Sequence, residues 1–361
     1  MIKNKFLLIP FLIFAIAFVI DKILVTEKIQ TYYSKTVSEI NFFHKPILFQ
    51  ELKEYLQKPD RKKVLVYFGN SRALLFENSY IAKKYPDWVL FNFSVPGGSP
   101  DFFLFWLEQF QAENIKPDFV LIDNSIEGYN KRPKIKIDEC LVNGLSPSFV
   151  FRHFTRYNQT ELAGFIAKRL FRTYQYRPKL DTILERMKNN AEVVVAYRAW
   201  RKKVMDDLIR EKGSASSQTS GNMTSTEEFI IKYAVGDFNS YLTPYEFLET
   251  MYDFQKDNYR ILKEMQIPHA GIWVRVAPSY FQLIKEKSQV IPGTNDKKTP
   301  YEIWYPIFKE FHDKENIPFW NMNEDPDYNC NFFTDASHMA SACFPEYTDY
   351  IFQRLQKIIQ K

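Results

Sequence analysis

Lys63-Val64-Leu65-Val66-Tyr67-Phe68-Gly69-Asn70-Ser71-Arg72 is the stretch on which the fold turns. Its apolar run is continuous, with charge before it and Gly-Asn after it. A strand buried on both faces of a parallel sheet is the element that takes such a run. Working outward, Ala73, Leu74, Phe76 and Ile81 recur at roughly helical spacing. Residues 88–93 repeat the strand pattern and stop at Pro96-Gly97-Gly98. Pro100-Asp101 then opens a helix whose apolar face carries Phe102, Phe103, Trp106, Leu107 and Phe110, and residues 119–122 make a third buried strand. The rhythm breaks from about 132 to 244, where the chain is basic, aromatic and mostly helical in pattern. It resumes with a helix carrying Leu248, Met251, Tyr252, Tyr259 and Leu262, a strand at 270–276 and a polar loop at 289–299. A helix with Ile303, Ile307, Phe308 and Phe311, a short strand at 317–320 and a last helix from Pro345-Glu346 complete the series. Right-handed βαβ units on one doubly wound sheet of about five parallel strands are the expectation. The α/β domain is placed at 61–361 with a helical insertion at about 132–244. The Ser/Thr/Gly tract at 213–226 has nothing to bury and reads as a mobile loop.

The N-terminus carries a different signal. Lys3 and Lys5 precede an apolar run at 6–20, closed by Asp21 and Lys22 and extended by residues 23–25. With the two charged side chains at the interface the run reaches the ~20 residues a bilayer span needs. No small-x-small cleavage site and no lipidation cysteine come after it, so a signal anchor at 1–25 is preferred to a cleaved signal peptide or a buried helix, and 26–60 is read as a helical stalk. The long domain beyond the stalk is expected outside the cytoplasm, in a bacterial periplasm or at the cell surface.

Bulk numbers exclude more than they assign. The 361 residues are 45% hydrophobic and 17% aromatic, which is a folding composition rather than a disordered one. Forty-eight basic against 43 acidic residues give +5, read as a small excess spread along the chain and not as a nucleic-acid footprint. Three cysteines (Cys140, Cys330, Cys343) lack metal-site spacing, and no Gly-rich phosphate loop is visible, so neither metal nor cofactor is expected. A Cys330–Cys343 bridge would span Asp335 and His338 and is the less expected arrangement.

Ligands of doubly wound sheets sit beyond the carboxyl ends of the strands, so the residues just past each strand are the candidates for chemistry. After the first strand, Ser71 stands at a helix start, where a free N–H and the helix dipole suit a developing oxyanion; an ordinary N-cap is the plainer reading. After the second come Gly97 and Gly98, able to bring backbone N–H groups close to a ligand or simply to make a turn. After the third, the Asn124 amide offers an oxyanion donor or a turn cap. Before the last helix, Asp335-Ala336-Ser337-His338 supplies a base with its orienting carboxylate, which a serine nucleophile requires. Arg72 and Arg275, near strand ends, are candidates to hold an anionic substrate, although a structural role is the commoner one. His44, His153, His269 and His312 have no ligand-spaced partner. Tyr174, Tyr176, Tyr197 and Trp200 in the insertion suit packing better than a sugar groove.

Taken together, Gly69-Asn70-Ser71, Asn92 with Gly97, the Asp123-Asn124 segment and Asp335-x-x-His338 resemble the four blocks of the SGNH (GDSL-like) hydrolases. The resemblance covers 62–128 and 265–360. It implies a flavodoxin-like three-layer sandwich with Ser71 as nucleophile, Ser71 and Gly97 as oxyanion donors through their N–H groups, His338 as general base and Asp335 as its orienter. Two departures stand out: Asn70 where the family has Asp, and a third block without its Gly-x-Asn-Asp spelling, so Asn124 takes the third donor role by position only. The anchor and these departures look most like the membrane-tethered branch that includes alginate O-acetylation and teichoic-acid D-alanine-transfer proteins, and like a spirochaete family with a Gly-x-Ser-Arg start. That likeness implies an esterase or acyltransferase working on an acyl group of a cell-envelope glycan or lipid, with a membrane-protein partner as a further expectation. The alternative is an inactive SGNH scaffold that binds a polymer or partner in envelope assembly or export.

Overall fold

The computed structural model describes residues 5–131, 139–189, 191–215 and 224–359. They fall into two compact units, Met1–Val37 with Val150–Lys203, and Ser38–Phe149 with Val204–Lys361.

The larger unit is built on the five expected strands: β1 (Lys63–Phe68), β2 (Trp88–Asn92), β3 (Phe119–Asp123), β4 (His269–Trp273) and β7 (Phe319–Asn321). They are parallel throughout, in the order β2-β1-β3-β4-β7. β5 (Gln289–Val290) and β6 (Lys297–Lys298) form a separate antiparallel ladder inside what the sequence reads as a polar loop. β4 ends three residues before its expected limit because Val276 leaves the ladder, its N–H donating to Asn323 Oδ1.

Side-chain alternation sends β1 to two helical layers. Leu65 and Tyr67 join Phe76, Ile81, Tyr347, Ile351, Phe352 and Leu355 on one face, where the Tyr67 and Tyr347 hydroxyls hydrogen-bond at 2.6 Å. On the other, Phe68 meets Phe103 and Phe110 of the Pro100–Ala112 helix. Trp273 packs edge-on to Trp304 of the Pro300–Glu315 helix. Each such buried side chain contributes about 1.5–3 kcal/mol.

The expected stalk is not one piece. Its second half is the helix Glu39–Leu56, which buries Ile40, Phe42, Leu48, Phe49 and Leu52 within the sheet unit and sets Phe49 against Trp106 and Phe110. An apolar content of that kind cannot stand in water as a spacer. The insertion divides too: 150–203 belongs to the smaller unit, and 204–244 to the sheet unit. Of the 213–226 tract, 216–223 lie outside the described residues. Its ends are fixed by Ala215 N–H on Leu74 O and by Ser225 Oγ on Thr334 O.

The smaller unit holds the helix Lys5–Leu24, whose Leu8, Phe11, Leu12 and Ile13 are exposed. Among the described residues no helix is long and apolar enough to cross a membrane.

Candidate active site

The sheet order reverses at β1, whose neighbours are β2 and β3, and the cavity expected at such a switch point is present. It measures about 280 Å³ and is lined by Ser71, Gly97, Gly98, Asp123, Ser125, Asp335 and His338, with Tyr233, Asp237 and Tyr241 forming a wall.

Ser71 opens a single 3₁₀ turn, Ser71–Ala73, and the α-helix proper begins only at Asn78. The dipole support expected behind Ser71 is therefore that of one turn. Nor is Ser71 the cap. Asn70 is, its Oδ1 accepting from the N–H of Arg72 at 2.9 Å. That leaves the Ser71 hydroxyl for His338, with Oγ to Nε2 at 2.7 Å.

The other face of the imidazole rests on Asp335, with Nδ1 2.9 Å from both Oδ1 and Oδ2. Asp335 Oδ1 also accepts the backbone N–H groups of Ser337 (2.8 Å) and His338 (2.9 Å). Burial alone would raise this carboxyl; the neighbouring imidazole and these donors outweigh it and hold Asp335 below its ordinary range. An anionic Asp335 that accepts at Nδ1 fixes the tautomer in which Nε2 is free to accept from Ser71. A disulfide, Cys330–Cys343, brackets this loop with Cα atoms 5.6 Å apart, against the sequence expectation.

Ser71 and Gly97 both line this cavity. The N–H groups of Ser71 and Gly97 donate to no partner among the described residues. Gly97 has φ +66°, a left-handed conformation that side chains resist, and a Cβ on Gly98 would lie 2.2 Å from Gly69 O. Glycines at these two positions let the β1 and β2 turns close on one another.

Asn124 does not join them. Its Nδ2 donates to Ile122 O and Tyr259 Oη, and its Oδ1 accepts from Gln255 Nε2, all in the opposite helical layer. Side chains alternate along β3, so Asp123, not Asn124, faces the cavity. Burial pushes the Asp123 carboxyl up to about 7 despite nearby Arg72. Asn70 Nδ2 donates to Asp123 Oδ2 at 2.7 Å, and Ser125 Oγ bonds both of its oxygens.

Arg72 is among the residues lining the cavity, with its guanidinium already paired within the protein. Arg72 is buried and forks onto Glu127, Nη2 to Oε1 at 2.6 Å and Nη1 to Oε2 at 3.1 Å, while Nε donates to Ser337 O at 2.9 Å. Burial opposes both charges, and their mutual attraction prevails: Arg72 is raised and Glu127 lowered. Arg72 thus ties the Ser71 turn to β3's end and to the His338 loop. Arg275 lies elsewhere, bonded to Met322 O, Tyr328 O and Asn331 Oδ1.

Sequence reasoning missed Glu127 and the Tyr233, Asp237, Tyr241 wall. The i, i+4, i+8 spacing of the last three on the Glu227–Tyr241 helix was the available signal. Asp237 Oδ2 accepts from Ser337 Oγ at 2.6 Å, and burial raises its carboxyl. Of the other histidines, His44 is buried with both ring nitrogens unpartnered, and His312 bonds Phe308 O and Tyr259 Oη. Among the described residues no His/Cys/Asp/Glu cluster of metal-binding form exists.

Fold and site define a doubly wound α/β protein with a Ser–His–Asp hydrogen-bond chain in a cavity at its switch point. The chain belongs to the DUF1574 family, described as a protein of unknown function, whose model matches residues 1–355. No curated protein matches it.

Proposed function

We propose that the protein is a membrane-anchored serine esterase or O-acyltransferase of SGNH-like type, acting on an acyl group of a cell-envelope glycan or lipid. The observation that carries this reading is the continuous chain from Ser71 Oγ through His338 to Asp335, beside the Ser71 and Gly97 N–H groups, which have no partner among the described residues. Ser71 Oγ attacks the acyl carbonyl as His338 Nε2 takes its proton, and the oxyanion lies against the N–H groups of Ser71 and Gly97. Collapse expels the alcohol, which leaves with the proton from Nε2, and the acyl group stays on Ser71. Water or an acceptor hydroxyl then gives its proton to Nε2 and attacks the acyl carbon; the acyl–Oγ bond breaks, and Ser71 Oγ takes the proton back from Nε2.

The anchor rests on the apolar run at 6–20 with residues 23–25, and on the exposure of Leu8, Phe11, Leu12 and Ile13 along the Lys5–Leu24 helix. The Cys330–Cys343 disulfide supports an oxidising compartment, a bacterial periplasm or cell surface. A serine-directed fluorophosphonate tests the chemistry. Labelling of the wild type that vanishes in Ser71→Ala and His338→Ala is expected, and a folded wild type that never labels overturns the reading.

A further inference from the structure

The chain's charge is not spread evenly, as its small total suggests. Residues 150–203 hold 13 Lys and Arg against four Asp and Glu, a net of +9, so the rest of the chain is −4. This basic segment is part of the smaller unit, together with the N-terminal apolar helix.

Its placement on that helix is specific. Asp21, one turn from the end of Lys5–Leu24, accepts the N–H of Arg172 (3.1 Å), the N–H of Thr173 (2.7 Å) and Thr173 Oγ1 (2.6 Å). Lys22 Nζ donates to Leu170 O at 2.8 Å, and the Phe171 ring stands edge-on to Phe14 at 5.5 Å. The 170–173 turn is therefore pinned where the apolar run gives way to charge, the depth at which an inserted helix meets lipid headgroups.

Next along the chain is the helix Leu180–Asn189. Arg186 Nη1 donates to Thr31 O and Ser34 O, which fixes one face of this helix to the unit. Away from that face, Leu180, Leu184 and Met187 are 72%, 49% and 63% exposed, an i, i+4, i+7 apolar stripe. Within the helix Asp181 and Glu185 offset Arg186 and Lys188, so the cationic excess lies outside it, with exposed Arg177 and Lys179 directly before it. An apolar stripe set in a cationic surround is the pattern of a helix lying in an anionic lipid interface.

From this arrangement, and resting on the anchor reading above, we infer that the Leu180–Asn189 helix and its basic flanks form a second membrane contact, selective for anionic lipid. The stripe dips into the headgroup boundary while the cations engage lipid phosphates. The smaller unit is then held by two attachments, which fixes its orientation to the bilayer as one helix cannot.

Nitroxide labels on full-length protein in vesicles test this, with one label at Met187→Cys, one at Phe11→Cys and a control at Lys309→Cys. Oxygen and nickel-complex collision rates give the depth of each. With phosphatidylglycerol present, the oxygen-to-nickel ratio at 187 should rise several-fold over the control. It should fall back in pure phosphatidylcholine, in 1 M salt where the screening length is about 3 Å, and in Lys179→Glu/Lys188→Glu. A 187 label in water while the 11 label lies in lipid overturns the inference and leaves the anchor intact. Both labels in water overturn the anchor as well. Equal immersion in neutral vesicles overturns the lipid selectivity. Protection at 187 that tracks protein concentration without lipid marks a second copy of the chain as the occupant and overturns the inference.

Discussion

Replacing Asp335 by Asn tests the proton path at one atom. In the native loop Oδ1 accepts two backbone N–H groups, from Ser337 and His338, besides facing Nδ1; Oδ2 faces Nδ1 alone at 2.9 Å. An Asn side chain keeps both backbone bonds only with its oxygen at the Oδ1 position, which puts its NH₂ where Oδ2 was. A donor then confronts Nδ1, and the imidazole relieves the clash by carrying its proton on Nε2. In that tautomer Nε2 no longer accepts from Ser71 Oγ, 2.7 Å away. General-base assistance is worth ~10²–10⁴-fold, so acylation should slow by that factor, about 2.7–5.4 kcal/mol of barrier. The assay is the second-order rate of fluorophosphonate labelling, with denaturant unfolding to verify the fold. Asp335→Ala, which imposes no tautomer, should retain more rate than Asp335→Asn despite a looser loop. A D335N rate within a factor of about three of wild type, well under the smallest general-base contribution, would refute the proton path.

Particular contacts elsewhere carry four further expected outcomes. Glu127→Gln leaves the buried Arg72 cation uncompensated and should cost about 3–5 kcal/mol in urea unfolding, whereas Arg72→Met/Glu127→Met should cost less than the two singles together. Asn124→Ala should leave labelling of Ser71 nearly unchanged and lower stability by about 1–3 kcal/mol, because Tyr259 and Gln255 lose a buried partner. Cys330→Ser/Cys343→Ser should lower the unfolding free energy by about 3 kcal/mol, the value for a loop of this length, and is measured against wild type under oxidising conditions. His44 supplies the pH test. Burial, with Lys45 beside it, lowers its pKa from 6.5 to about 3, so between those values the unfolded chain takes up a proton that the native state refuses. His44's own contribution should fall by about 2 kcal/mol between pH 7 and pH 5, against the opposite trend of the raised Asp123 carboxyl, so the pH-dependent change in unfolding free energy should differ between wild type and His44→Leu by that amount.

The strands were legible because a strand buried on both faces has to be apolar at every position, as Val64 to Phe68 are. Ser71 and Gly97 were legible because they follow the first two strands, and Asp335 and His338 because an Asp-x-x-His pair stands before the last helix. What failed did so for want of a direction. Asp123 and Asn124 are adjacent letters, yet one-residue alternation sends the first into the cavity and the second into the helical layer. Arg72's structural role, the commoner reading, had no visible partner in the sequence because Glu127 and Ser337 lie 55 and 265 residues away. The 150–203 segment read as part of one insertion because its attachment to Asp21 spans some 150 positions. Long-range pairings of this kind leave no local pattern in composition or periodicity.

The spacing of the triad has a consequence for biosynthesis. Ser71 and His338 are 267 residues apart, and the loop carrying His338 is closed by a cysteine pair only after it. Until the last stretch of chain has emerged and docked, Ser71 is an ordinary alcohol with no base beside it. On the proposed function, a chain still being made is thus chemically silent, and gains its nucleophile only once Ser71 and His338 have met. Any truncation that removes the His338 loop should leave a chain that is inert and not misdirected, since ring closure over so long a contour comes late in folding.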